Sequence, residues 1–120
     1  MSGFTDALKD FAGRVPETQL VMIMGTDGIA IERLAVTPDA NMDAVAAEYT
    51  TLLRASLQAA RDTGLGRLQE LSVVAERMTA VMVGITPEYF LFAALAPGAV
   101  AGRARFALRM ASLALEQEFL

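Results

Sequence analysis

Met24-Gly25-Thr26-Asp27-Gly28-Ile29-Ala30-Ile31-Glu32 joins two apolar, β-favouring runs, Leu20 to Ile23 before the Asp-Gly pair and Ile29 to Ile31 after it. An Asp-Gly pair so flanked specifies a tight hairpin, because the reversal needs positive φ and glycine supplies it without steric cost. Two chemical readings of Gly25-Thr26-Asp27-Gly28 compete with the turn. A phosphate cradle would end in Gly-Lys-Ser/Thr and a dinucleotide fingerprint would carry a third glycine, and each would open a helix; here a strand follows. Asp27 is therefore read as a turn residue in preference to a ligand. Residues 19–25 and 29–35 then form one hairpin.

Working outward, Phe4, Leu8, Phe11 and Val15 are spaced by four, three and four, with Ser2 as a cap and Gly13 and Pro16 as stops. That spacing predicts a short amphipathic helix at the start of the chain. Residues 36–40, with Pro38-Asp39, read as a loop. From Asn41, an N-cap with Asp43 in the first turn, a Pro-free segment rich in Ala and Leu runs to Gly64 and predicts a long central helix. Its apolar members cover an arc wider than one sheet contact requires, so a second buried face, such as another copy of the chain, is expected. Beyond Gly64-Leu65-Gly66, residues 67–76, 80–86 and 89–96 read as three strands with connections short enough for an antiparallel meander. Pro97-Gly98 breaks the chain before a last helix over residues 100–120, whose stripe includes Ala104, Leu108, Ala111, Leu115 and Phe119. The order is αββαβββα, an α+β fold in a single domain over residues 1–120.

Composition narrows the function. A chain of 120 residues falls in the size range of one domain and buries about two-thirds of its unfolded surface. Its hydrophobic share of 54% against 20% charged leaves more apolar surface than a monomer hides, which points to an oligomer. A net charge of -4 excludes the basic field that attracts nucleic acid. The absence of Cys and His removes disulfides, thiolate nucleophiles, imidazole bases and the usual zinc or copper ligands. No signal peptide opens the sequence and no apolar run approaches the roughly 20 residues that cross a bilayer, so a cytoplasmic protein without membrane insertion is expected.

Catalytic chemistry finds little material. The serines sit in no Gly-x-Ser-x-Gly or Ser-x-x-Lys context, and Lys9 is the one lysine. Glu70 and Glu76 fall on one face of the third predicted strand, where a solvated face is preferred over an acid-base pair. Arg103, Arg105 and Arg109 crowd the first half of the last helix, where positive charge opposes the dipole. They are either a docking site for an acidic or phosphorylated partner or, preferred, a solvated ridge with Glu116 near Arg109. The seven methionines are read as core filler. No catalytic residue, metal site or cofactor is expected.

This layout resembles the Roadblock / dynein light-chain family, and in particular its stand-alone bacterial members that partner Ras-like GTPases. The likeness is carried by Val21 to Gly28 as the first hairpin, Ala44 to Leu65 as the central helix, Leu68 to Leu95 as the meander, and Gly102-Arg103-Ala104-Arg105 opening the last helix. The resemblance implies a five-stranded antiparallel sheet with the central helix on one face and the N- and C-terminal helices on the other. It also implies a homodimer formed by the central helix and third strand, joining two sheets edge to edge. The residues it assigns to that interface are Ala46, Tyr49, Leu53, Leu57 and Ala60, with Leu71, Val73 and Ala75 along the strand. Bacterial relatives bind GTPases through the central-helix face, and some accelerate GTP hydrolysis by rearranging the GTPase's own catalytic residues. Asp43, Glu48, Arg54, Gln58 and Arg61 are the matching exposed candidates here. The implied function is a non-catalytic homodimeric regulator or scaffold of a small GTPase; the alternative is a small-molecule-sensing or signalling adaptor domain of similar layout.

Overall fold

The structure, a computed structural model, describes residues 3–37, 41–99 and 101–119. In chain order the elements are α1 (Gly3–Arg14), β1 (Thr18–Gly25), β2 (Ala30–Ala35), α2 (Met42–Asp62), β3 (Glu70–Val74), β4 (Thr79–Thr86), β5 (Tyr89–Leu95) and α3 (Ala101–Glu116), which closes in a 3-10 turn, Gln117–Phe119. The strands make one antiparallel sheet ordered β2-β1-β5-β4-β3. The α+β architecture expected from the sequence is the one observed.

The three inner strands read as continuous apolar runs because both of their faces are covered. Side chains alternate along a strand. Leu20, Met22 and Met24 of β1, Ala80 and Met82 of β4, and Phe90, Phe92 and Ala94 of β5 thus form one core layer with Met42, Ala46 and Leu53 of α2. The intervening Val21, Ile23, Val81, Val83, Leu91, Ala93 and Leu95 pack the other layer with Leu8 and Phe11 of α1 and Ala104, Leu108 and Leu115 of α3. Five of the seven methionines lie in the α2 layer.

Local chemistry sets the boundaries. Gly28 has φ +91°, and the Asp27 carboxylate accepts a hydrogen bond from the Ile29 N–H at 3.0 Å, so the Asp-Gly pair is the turn it was expected to be. At the end of α2, Leu65 N–H donates to Ala60 O and Gly64 N–H to Arg61 O, with Gly64 at φ +73°, the Schellman arrangement that satisfies the last carbonyls. Asn41 precedes α2 in helical conformation and its side chain makes no capping hydrogen bond, unlike the N-cap expected of it. The third strand is shorter than residues 67–76: Gly66 at φ +84° and a turn closed by Ala75 N–H donating to Met78 O trim both ends. Glu76 lies in that turn and shares no strand face with Glu70. Ser2, Pro38, Asp39 and the ends of the last helix at Val100 and Leu120 lie outside the described residues.

Candidate functional site

Two features of the α2 layer stand out: the flanks of α2 and the unpaired edge of β3. One flank of α2 is polar and tied down within the chain. Asp43 pairs with Arg33 of β2 at 3.1 Å, and Arg54 Nη1 donates to the Thr26 carbonyl in the β1–β2 turn at 2.8 Å. Gln58 and Arg61 share that flank and hydrogen-bond along the helix, Arg61 to Gln58 at 3.0 Å and Gln58 to Asp62 at 2.7 Å. Glu48 is exposed on the back of the helix. Four of the five charged or polar candidates thus lie along one flank of α2, with Asp43 tied to β2 and Arg54 to the first hairpin, and Glu48 stands apart.

Because β2 and β3 bound opposite sides of the sheet, the other flank of α2 faces the β3 side. Val45 and Tyr49, spaced by four, are half-buried there, and Leu52 is 41% exposed. The Tyr49 ring stacks on Phe92 with centroids 6.5 Å apart. Leu71 and Val73 of β3 point to this same sheet face and are only partly covered, while Ala75 is exposed beyond the strand end. Ala46, Leu53 and Ala60 are turned onto the chain's own sheet, at 1%, 5% and 6% exposure, so the chain itself already covers them. Leu57 is half-buried on the opposite side of that layer, next to Arg54 and Arg61 on the helix, and lines a cavity of about 320 Å³ with Leu53, Arg61, Arg67, Leu68, Met82 and Phe90.

The two sheet edges differ in chemistry. Along β2, Glu32 accepts a hydrogen bond from Thr5 of α1 and Arg33 pairs with Asp43, so the edge is charged and partly covered. After Glu70, whose carboxylate is turned toward α3, the β3 edge runs Leu71-Ser72-Val73-Val74 without a charge, and Val74 is 75% exposed. An uncharged, open edge offers unpaired N–H and C=O groups to another strand.

Glu70 was missed as a structural residue. Its side chain is only 11% exposed on the opposite face of the sheet, where Arg105 bonds one carboxylate oxygen and Arg109 Nε donates to the other at 3.0 Å. Those two arginines are neither a free ridge nor a vacant anion site; they anchor α3 to the edge strand. Their spacing of four against the helix dipole was the available signal. Ser112 adds a second tie, donating to the Gly84 carbonyl at 2.6 Å beside the irregularity in the β4–β5 ladder. Among the described residues no three Asp or Glu side chains converge to hold a metal, and no buried side-chain polar atom lacks a partner. No described helix is long and apolar enough to cross a membrane.

Similarity to known proteins agrees with this geometry. The profile of the Roadblock/LC7 domain matches residues 5–96. Among solved structures, the gliding protein MglB from Thermus thermophilus superposes with a TM-score of 0.85 at 18% identity, covering 96% of this chain and 87% of that one. MglB from Myxococcus xanthus gives 0.87 at 13% identity over 99% and 96% of the two chains. MglC from the same organism gives 0.71 at 28% identity over 98% and 99%. No curated protein sequence matches the chain. With the sheet order, the two helical layers and the profile match in agreement, the chain belongs to the Roadblock/LC7 domain family.

Proposed function

We propose that this chain is a homodimeric, non-catalytic adaptor that binds a Ras-like small GTPase, as a regulator or a scaffold. The observation that carries the dimer is the uncharged β3 edge beside the half-covered apolar flank of α2. Edge-to-edge pairing of two β3 strands satisfies the open backbone groups and covers Leu71 and Val73. The same two-fold operation brings the Val45, Tyr49, Leu52 flanks together, with Ala75 at the end of the seam and Leu57 on the far side of α2 from it. Ala46, Leu53 and Ala60 form the layer beneath that seam and set the height of α2 above the sheet. The GTPase reading rests on family membership and on the likeness to the gliding protein MglB. Its contact residues are Asp43, Glu48, Arg54, Gln58 and Arg61, which the dimer leaves at the surface.

The test is retention of cytoplasmic proteins on the immobilised chain with a GTP or a GDP analogue in parallel. A Ras-like GTPase held more strongly with the GTP analogue is the expected result, and turnover with and without the chain then separates regulator from scaffold. No GTPase in either state overturns the GTPase half, and a strictly monomeric species at micromolar concentration overturns the dimer half. The cavity under α2 favours a second reading, a small apolar ligand with an anionic group set against Arg61 and Arg67. A co-purifying ligand whose removal lowers the melting temperature would favour it.

A further inference from the structure

The cavity beneath the C-terminal half of α2 is opened by a missing side chain. Gly84 of β4 follows Met82 by two and pairs with Phe90, so it faces the same layer as both. Its φ lies outside the positive range that favours glycine. A Cβ there would meet the Leu68 carbonyl oxygen at 3.7 Å and Arg67 Nη2 at 3.9 Å, which are ordinary contact distances. Neither backbone nor crowding calls for glycine, and its bare backbone is the floor of the cavity. The walls are Leu53, Leu57, Leu68, Met82 and Phe90. The lining runs from Thr26 after β1, across β5 and β4, to Leu68 before β3, and four strands at about 4.8 Å spacing extend roughly 14 Å from first to last. A cavity of about 320 Å³ drawn out in that direction is a slot.

The chemistry of the slot selects its occupant. Its five walls offer no hydrogen bond, and the polar lining residues Thr26, Gln69 and Thr86 belong to the strand ends. A polar group buried without a partner is costly, so the inner part of the occupant is hydrocarbon. Two cations border this apolar space. Arg61 lies in the last turn of α2 and bonds only the neutral Gln58 amide. Arg67 makes neither a hydrogen bond nor an ion pair among the described residues, and its Nη2 is set over Gly84. Glu70, three residues beyond Arg67, does not neutralise it, because Arg105 and Arg109 engage that carboxylate on the opposite face. Two guanidinium groups without an acidic partner suit one carboxylate or phosphate.

We propose that the slot binds a single hydrocarbon chain ended by one anionic group, with its head on Arg67 and Arg61 and its tail running from Gly84 past Phe90 toward the first hairpin. This deepens the ligand reading given above and rests on it. Nucleotides, sugars and amino acids are excluded, because the walls cannot bond their polar bodies. Gly84 sets the specificity, since any side chain there takes the place of the tail.

Calorimetric titration of the full chain with hexanoate, octanoate and decanoate should show affinity rising about fourfold with each added methylene until the slot is full. Decyl phosphate tests the other head group, and the tighter of it and decanoate identifies the head. Decanol, without a charge, should bind at least about tenfold more weakly than decanoate, and Arg67→Gln should weaken decanoate by a similar factor while leaving decanol unchanged. Gly84→Ala, which the contact distances accommodate, should weaken binding part-way, and Gly84→Leu should abolish it. Filling the slot should hold or raise the melting temperature of the unliganded chain in both variants, so that lost binding is not lost folding. Decanoate binding that survives Gly84→Leu overturns the proposal, as does decanol binding as tight as decanoate. If anilinonaphthalene sulfonate binds the natural chain but not Gly84→Leu, and no alkyl acid binds, the chain-shaped occupant falls while the broader ligand reading stands. If none of these compounds binds, both fall.

Discussion

Two adjacent residues make the first reversal by different means. Gly28 accepts φ +91°, and a Cβ there would meet only the Arg54 guanidinium at 3.9 Å, so an alanine has room but a strained backbone. Gly28→Ala is expected to cost roughly 1–2 kcal/mol. Asp27 contributes one exposed hydrogen bond, and Asp27→Ala is expected to cost about 0.5–1 kcal/mol. Urea unfolding of both variants checks the order; a larger loss for Asp27→Ala would show that the side-chain bond, not the backbone, sets the turn. These roles were legible because the signal is local. The Glu70 clamp was not, since Arg105 and Arg109 lie 35 and 39 residues away in sequence and no short pattern joins them. Both arginines are about half exposed and rehydrate when released, so Glu70→Ala should cost about 1 kcal/mol despite the depth of the carboxylate. A double-mutant cycle with Arg109→Ala measures it, and a coupling near zero would make the clamp an electrostatic bystander.

At the scale of the element, the apolar arc of α2 divides in two. Ala46, Leu53 and Ala60 lie on the chain's own sheet, while Val45, Tyr49 and Leu52 sit on a flank that the chain leaves half-covered or open. Leu53 and Leu52 make the distinction measurable, being adjacent in sequence and 5% and 41% exposed. Leu53→Ala should destabilise by about 2–4 kcal/mol through the lost contacts and the cavity it leaves. Leu52→Ala should stay within about 0.5 kcal/mol in the isolated chain. Similar losses at the two positions, in thermal or denaturant unfolding, would mean that α2 is rotated from the orientation described. Strands were read in the right chain order, as a hairpin and a meander, because β1, β4 and β5 are buried on both faces and leave unbroken apolar runs. The β1–β5 pairing that joins hairpin to meander was not read, since no short pattern links two strands so far apart in sequence. The error fell at β3, an edge strand partly open to solvent, where polar residues of the strand and of its flanking turns look alike.

For the whole molecule, the two edges of the sheet predict different behaviour on dilution. The β2 edge is charged and tied by Thr5 and Asp43, so nothing is gained by pairing it with another chain. Among the described residues the β3 edge bonds to β4 alone, through Glu70 to Val74, and the alternate amides that point away from β4 have no partner strand there. In a β3-paired dimer those outward amides become hydrogen-bonded, and their exchange with solvent requires either dissociation or unfolding. Hydrogen exchange should therefore slow at the outward amides of β3 as protein concentration rises, while the β1 and β5 amides, central in the sheet, should exchange at a rate independent of concentration. Since association stabilises the native state by mass action, the melting temperature should rise over the same range. Val73→Lys places a charge in the seam and should remove both dependences without changing the β1 and β5 protection. Exchange at β3 that is fast and unchanged across the whole concentration range would leave the edge open in solution, and the covering of this apolar chain would then have to come from a different partner.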